Sequence, residues 1–383
     1  MKPKLRFKNF DNDWEEIELK NIASEIAYGM NSASKEYDVE NKYIRITDID
    51  ENSNRYSNKD MVSPDGILED RFLVKDNDIL FARTGASTGK TYLYNSNDGK
   101  LYYAGFLIKA SIINHNSNFI FQQTKLNKYK NWIKIMSMRS GQPGINSQEY
   151  GSYKFSITNI DEENKVSNFL SLLDKKIELQ SKKIKDLKLF KSYTKNKLFQ
   201  SGDKTIKLGD ILTKWNKKNK AGLINYVESI SNKYGFISQS DQFEDRNVAS
   251  KDLKNYYVIE KNVFGYNPSR LNVGSLALKD NDKVSVVSPL YECFTTSQNN
   301  KYLLEWFDSI YFKKGTLSKF EGGVRNTLNF TNLCEIEINL PSIELQNKYA
   351  NYLSIFDNKI RIEEKKLNYL KYLKTGLMQN MFV

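Results

Sequence analysis

Residues 82–91 read ARTGASTGKT, two glycines followed by a lysine and a threonine. Such a run could cradle a phosphate, because closely spaced glycines let backbone amides approach an oxyanion. The spacing does not fit a nucleotide. A P-loop places four residues between its first glycine and the Gly-Lys pair, whereas three separate Gly85 from Gly89. A P-loop also runs from a strand into a helix. Here DILFA at 78–82 is strand-like, but TYLY at 91–94 is β-prone and NSNDG at 95–99 reads as a turn. The spacing predicts strand, loop, strand. The plainer reading is a turn that Gly85 and Gly89 merely shape.

Other catalytic constellations are thin. One histidine, His115, lies in the turn-like INHNS, and two cysteines, Cys293 and Cys334, are far apart. A zinc site of cysteine and histidine needs more ligands at tighter spacing. Tyr266-Asn267-Pro268-Ser269 partly matches the motif with which adenine methyltransferases hold a flipped base, but Ser269 and Arg270 stand where a proline and an aromatic belong. No glycine-rich S-adenosylmethionine motif accompanies it. Glu363-Glu364-Lys365 gives a nuclease-like E-x-K without an upstream Pro-Asp pair. Catalysis by this chain is not expected.

The chain has 383 residues, enough for two or more domains, and a net charge of +12. That excess points to a polyanion, most simply nucleic acid. With 24 tyrosines and 21 phenylalanines the chain has material for real cores. The N-terminal MKPKLRFKNF lacks an apolar signal core, and no run is long enough to span a membrane, so a reducing cytoplasm is the expected setting.

These residues must be positioned by a larger design, and a repeat supplies it. Residues 160–200 align without a gap on 343–383 at an offset of 183, with 15 identities in 41 positions. Val166, Leu170, Leu173, Ile177, Ile184, Leu187 and Leu198 step by threes and fours. Tyr349, Leu353, Phe356, Ile360, Leu367, Leu370, Leu377 and Met381 do the same in the second copy. This is a coiled-coil seam, interrupted at matching places by Gln180 with Glu363 and Lys191 with Lys374. A helix of about 39 residues is on the order of 58 Å long and cannot bury such a stripe alone. Asn159 and Ser342 are candidate N-caps, and Gly202 a stop for the first helix. Trp14–Ile22 and Ile206–Ile211 open the segments before the helices, and Asn146 and Asn329 hold the repeat offset near their ends. The expected fold is α+β: two globular α/β domains and two long helices forming an antiparallel coiled coil with pseudo-two-fold symmetry. The expected boundaries are 1–158, 159–202, 203–341 and 342–383.

Two divergent heads on a helical ruler could read two DNA half-sites, which recur at about 34–36 Å per helical turn. The sequence at this point resembles the specificity subunit of a type I restriction-modification system, over essentially its whole length. The resemblance rests on ITNIDEENKVSNFLSLLDKKI (157–177) with LPSIELQNKYANYLSIFDNKI (340–360), NDILFARTGASTGK (77–90), FGYNPSRLNVGSLAL (264–278) and VSPLYECF (287–294). It implies two target recognition domains, each reading half of a split site in double-stranded DNA. It further implies helices that set the spacer and dock two methyltransferase subunits, with restriction subunits joining them. This chain would hold no cofactor; S-adenosylmethionine would belong to the methyltransferase, and ATP and magnesium to the restriction subunit. The alternatives are a stand-alone two-headed regulator or a coiled-coil scaffold.

Side chains suited to phosphate or base edges fall in three clusters. The first is Arg83, Thr84, Ser87 and Lys90. The second, in the corresponding place downstream, is Tyr266, Asn267, Ser269, Arg270 and Asn272. The third is a loop before each helix, with Arg139 and Gln142 in one copy and Arg325 and Asn326 in the other. The plainer reading of that loop is a turn that steers the chain into the helix.

Overall fold

The structure is a computed structural model, and it describes all residues except 52, 139–142, 201, 203, 233, 240–251, 318 and 320–326. The chain forms two compact units, Met1–Gln180 with Lys366–Val383, and Ser181–Lys365.

The sheet of the first unit runs Ala23–Tyr28, Leu107–Ile112, Asp78–Ala82, Thr91–Leu93, antiparallel at each step. Its third strand is buried throughout. Side chains alternate across a strand, so Ile79 and Phe81 enter one core with Phe119, Tyr150 and Phe155, while Leu80 and Ala82 enter another with Ile44, Tyr92 and Tyr103. The predicted strand, loop, strand around ARTGASTGKT is present. A separate ribbon pairs Glu15–Glu18 with Lys154–Ile157. It brings the opening of the segment back to the residues that lead into the first long helix.

The second unit repeats this plan with other residues. Its sheet runs Leu212–Lys214, Glu292–Thr296, Phe264–Tyr266, Leu276–Leu278. Its ribbon pairs Lys204–Lys207 with Glu337–Leu340. Phe264, Tyr266 and Phe294 fill one core with Trp306 and Phe307, and Cys293 faces a second with Ile259 and Val287.

The long helices span Ile160–Leu198 and Ile343–Met381. Asn159 Oδ1 accepts from the Glu162 amide at 2.9 Å, and Ser342 Oγ from the Leu345 amide at 3.4 Å, so both predicted caps are in place. Gly202 plays another part. It lies beyond the end of the helix, and a Cβ there would come 2.6 Å from the Asn339 backbone. Close approach to the ribbon, not a left-handed cap, is what requires glycine. Seam residues Val166, Leu170, Ile184, Leu353, Ile360, Leu370 and Met381 are buried. The pairing is antiparallel within each unit. Asp174 meets Lys374 in the first; Lys183 meets Glu363 and Lys191 meets Asp357 in the second.

A clasp that sequence reasoning missed holds each long helix to its own globular part. The Asn116 amide donates to Glu163 Oε2 at 2.9 Å and its Nδ2 to Asn164 Oδ1 at 2.7 Å. In the second unit the Asn299 amide donates to Gln346 Oε1 at 3.1 Å and its Nδ2 to Asn347 Oδ1 at 2.6 Å. Asn116 and Asn299 also cap the helices Ser117–Gln123 and Asn300–Phe307. His115, read from sequence as a surface turn, belongs to this clasp. Its Nδ1 lies 2.9 Å from the wholly buried Glu163, and Gln298 meets Gln346 in the matching place at 2.9 Å.

Candidate nucleic-acid interface

In the first unit the strand Asp78–Ala82 delivers Arg83 to a loop that pairs with the segment before the helix. The Ile145 amide donates to Arg83 O at 2.9 Å, the Gly85 amide donates to Pro143 O at 3.0 Å, and Thr84 bridges to Gly144. The loop that carries Arg83 and Thr84 therefore pairs with residues 143–145, just before the first long helix's own lead-in. Arg83 lays its guanidinium 4.7 Å from the centre of the Tyr28 ring and points Nη1 at Gly105 O. Its Nε is buried with no hydrogen-bond partner among the described residues. A stacked, pre-oriented arginine suits a phosphate or guanine edge.

Two neighbours escaped sequence reasoning. Tyr28, 40% exposed, accepts a hydrogen bond from the Ser147 amide at 3.0 Å. Burial pushes its phenol pKa up, but Ser147 and the charge of Arg83 outweigh that and bring it down. Phe106, whose carbonyl accepts from the Arg83 amide, is 63% exposed. No signal marks either residue in the sequence, since each looks like core at a strand end.

Much of the loop's backbone is already committed within the chain. The amides of Gly85, Thr88, Gly89 and Lys90 all donate to carbonyls of the chain. Gly85 and Gly89 have φ of 74° and 88°, and a Cβ on Gly89 would lie 2.6 Å from Ile133. The glycines shape a turn and seat it under the helix Asn127–Met136. Ser87 and Thr84 are half-buried on the loop. Lys90 faces elsewhere: its ammonium lies 3.2 Å from Ile49 O and 3.4 Å from Glu51 Oε1, away from Arg83.

In the second unit the strand Phe264–Tyr266 delivers the turn Asn267–Gly274. The Asn267 side chain caps it by accepting from the Ser269 amide at 3.0 Å, and Gly274 closes it at φ 89°. The Leu328 amide donates to Pro268 O at 3.1 Å, so this turn also joins the loop before its helix. Ser269 and Arg270 are exposed on it. Tyr266 is not available to a duplex. It is 0% exposed in the core, since it shares a sheet face with Phe264. Burial pushes its phenol pKa strongly up. Arg139, Gln142, Arg325 and Asn326 lie outside the described residues, as does the side chain of Asn272. Asn146 and Asn329 cap the short helices that follow the loops, accepting from the Glu149 and Asn332 amides at 2.9 and 2.8 Å.

Among the described residues no group of three or more His, Cys, Asp or Glu could hold a metal, and no helix is long and apolar enough to cross a membrane.

Two homologous α/β units, each presenting a polar loop pair beside a long helix, fit a chain built by duplication to read a polymer. Comparison with known proteins agrees. The family model described as type I restriction modification DNA specificity domain matches twice, over residues 11–189 and 200–372. The chain belongs to this family, whose specificity subunits are non-catalytic DNA-recognition subunits. It is 27% identical over 180 residues to a protein described as a type I restriction enzyme MjaX specificity subunit from Methanocaldococcus jannaschii. That match covers 45% of this chain and 41% of the relative. The fold is similar to the S subunit of the type I restriction-modification system from M. genitalium, at TM-score 0.59, 15% identity and coverage of 100% and 99% of the two chains. It is also similar to a chain from a structure on complex assembly and conformational transition of the type I R-M system, at TM-score 0.57, 14% identity and coverage of 96% and 97%.

Proposed function

We propose that the globular parts, residues 1–158 and 203–341, each read one half of a bipartite, asymmetric site in double-stranded DNA. The observation that carries this reading is the pair of equivalent loop junctions, Arg83–Ile145 and Pro268–Leu328. They occupy the same place in two copies of one fold, yet expose different side chains. Equivalent placement suits one mode of docking, and different residues suit different bases. Arg83 with Thr84, and Ser269 with Arg270, are the proposed contacts; the charge of +12 supplies attraction to the phosphates.

The helices then act as the spacer. They also carry matched apolar residues that stay exposed. Phe169, Leu172 and Leu179 are exposed on the first helix, and Tyr352, Ile355 and Ile362 stand exposed at the same repeat positions on the second. Contiguous exposed apolar side chains mark interaction surfaces. Two equivalent rows suit two copies of a methyltransferase subunit, to which restriction subunits would add. In this reading S-adenosylmethionine, ATP and magnesium are held by those partners.

The test is methylation sequencing of the host genome with and without the gene, followed by exchange of residues 205–340 for those of another family member. A split methylated motif that appears with the gene, and loses one half-site on exchange, is expected. A change in both halves would refute modular reading. Inserting a helical turn near Lys183 should lengthen the spacer alone.

A further inference from the structure

The first unit holds a cleft of about 490 Å³ whose lining includes Lys90, Lys125, Lys130 and Lys374 with Glu51. Lys90 is paired with Glu51, and Lys374 with Asp174. Lys125 and Lys130 have no ion-pair partner among the described residues. Lys125 rises from the end of a helix with its ammonium 4.4 Å from the centre of the Phe121 ring. A half-buried ammonium held over an aromatic face and beside another lysine lacks a counter-ion.

The second unit shows what fills that place when the chain fills it itself. The position repeating Lys125 is Asp308, which pairs with Lys195. The position repeating Gln122 is Glu305, which pairs with Lys191. Lys191 repeats Lys374, so the same lysine of the helix meets two carboxylates in one unit, Glu305 and Asp357, and in the other only Asp174, with Lys125 close by.

We propose that this cleft binds a phosphate dianion carried by a small molecule. Two unpaired lysines match its two charges. Ammonium groups act as point charges for phosphate, whereas a carboxylate is better met by the fork of an arginine, and none lines the cleft. The hydroxyls of Thr88, Thr124 and Thr375 donate to carbonyls of the chain, so the lysines provide the recognition. The volume falls in the range of small-ligand sites, about 300–1,000 Å³. Burial first, and Lys374 second, push the Lys125 pKa down to about 7, against the pull of Asp174 and with Arg55 adding to the push. A bound dianion would therefore take up a proton.

The experiment is calorimetric titration of the full chain with inorganic pyrophosphate at constant ionic strength, in buffers of different ionisation enthalpy. Saturable binding with proton uptake near pH 8 is expected, and Lys125→Asp should weaken it at least tenfold. That variant should keep its fold, because the introduced carboxylate would lie within reach of the Lys374 charge that already acts on Lys125. Lys130→Ala should weaken binding severalfold and guards against misfolding of the first variant. A duplex without terminal phosphates, whose backbone groups are monoanionic diesters, should fail to displace pyrophosphate, and displacement by it would overturn the assignment to a dianion. No saturable binding, or unchanged binding by both variants, would overturn the proposal.

Discussion

At the start of each long helix the two units make the same clasp, Asn116 on Glu163 and Asn164, Asn299 on Gln346 and Asn347. Beside that clasp they differ. The first unit buries Glu162 under a bidentate Arg6, with Trp14 and Thr158 also donating to it. The second has Leu345 at the repeat position. Further along, Lys374 shares a cleft with Lys125, while Lys191 sits between Glu305 and Asp357. Backbone geometry was held through the divergence of the copies, and charge only in part: Asp174 with Lys374 repeats Asp357 with Lys191, whereas Gln122 and Lys125 stand where Glu305 and Asp308 do. A hydrogen bond to a main-chain amide constrains position strictly, whereas a salt bridge can be replaced by any arrangement that leaves no buried charge alone.

Changes at unmatched positions should therefore strike one unit. The largest effect is expected for Glu162→Gln, which strands the Arg6 guanidinium and should cost about 3–5 kcal/mol. Hydrogen exchange should show the loss in the first unit, with residues 204–340 unmoved. Equal loss in both would break the comparison. The same group gives a pH dependence. Burial raises the Glu162 pKa, but its bonds from Arg6, Thr158 and Trp14 bring it below the ordinary 4.5. Its contribution is full above that value and is lost as pH falls through the lower folded-state value. Acid should loosen the first unit before the second.

Gly89→Ala comes next, at about 2–3 kcal/mol, since φ is 88° and Ile133 blocks the methyl group. A chemical denaturation midpoint near wild type would contradict the seating of the loop. Arg83→Ala and Arg270→Ala should each cost about 1–3 kcal/mol in DNA binding, with specificity relaxed at one half-site. Methylation profiles in which both variants blur the same half would refute separate reading. Lys125 should give a pH trend of the same direction as Glu162, in a higher pH window. Its folded-state pKa, about 7, lies below that of an unfolded lysine, so its destabilisation is fullest below pH 7 and fades as pH rises toward the ordinary lysine range. Smallest of all is Lys188→Ala, which removes a surface pair with Glu364 and should cost about 0.5 kcal/mol or less.

The sequence displayed the helices, their caps, the strands around Arg83 and the matched asparagines 146 and 329, because each depends on local spacing. It hid what depends on distant partners. Asn116 and Asn299 keep the repeat offset, but lie in stretches that otherwise differ, NHNSNF against SQNNKY. Tyr266 looked accessible beside Asn-Pro; alternation with Phe264 across Gly265 was the signal for its burial. Lys90 looked like a partner of Arg83, yet the turn at Gly89 sends it toward Glu51. Arg83 was legible as an exposed-loop cation, while its stacking on Tyr28 required the strand Ala23–Tyr28 to arrive from elsewhere.

The division of the chain has a consequence for its synthesis. Residues 366–383 complete the first unit, where Met378, Met381 and Phe382 lie in the core with Trp14 and Phe119. A ribosome that has reached Lys365 has joined every residue of the second unit but not of the first. The half that is begun earlier is thus the later to finish, and a premature stop in this stretch would strip the first unit, encoded mostly at the opposite end of the gene, of part of its core.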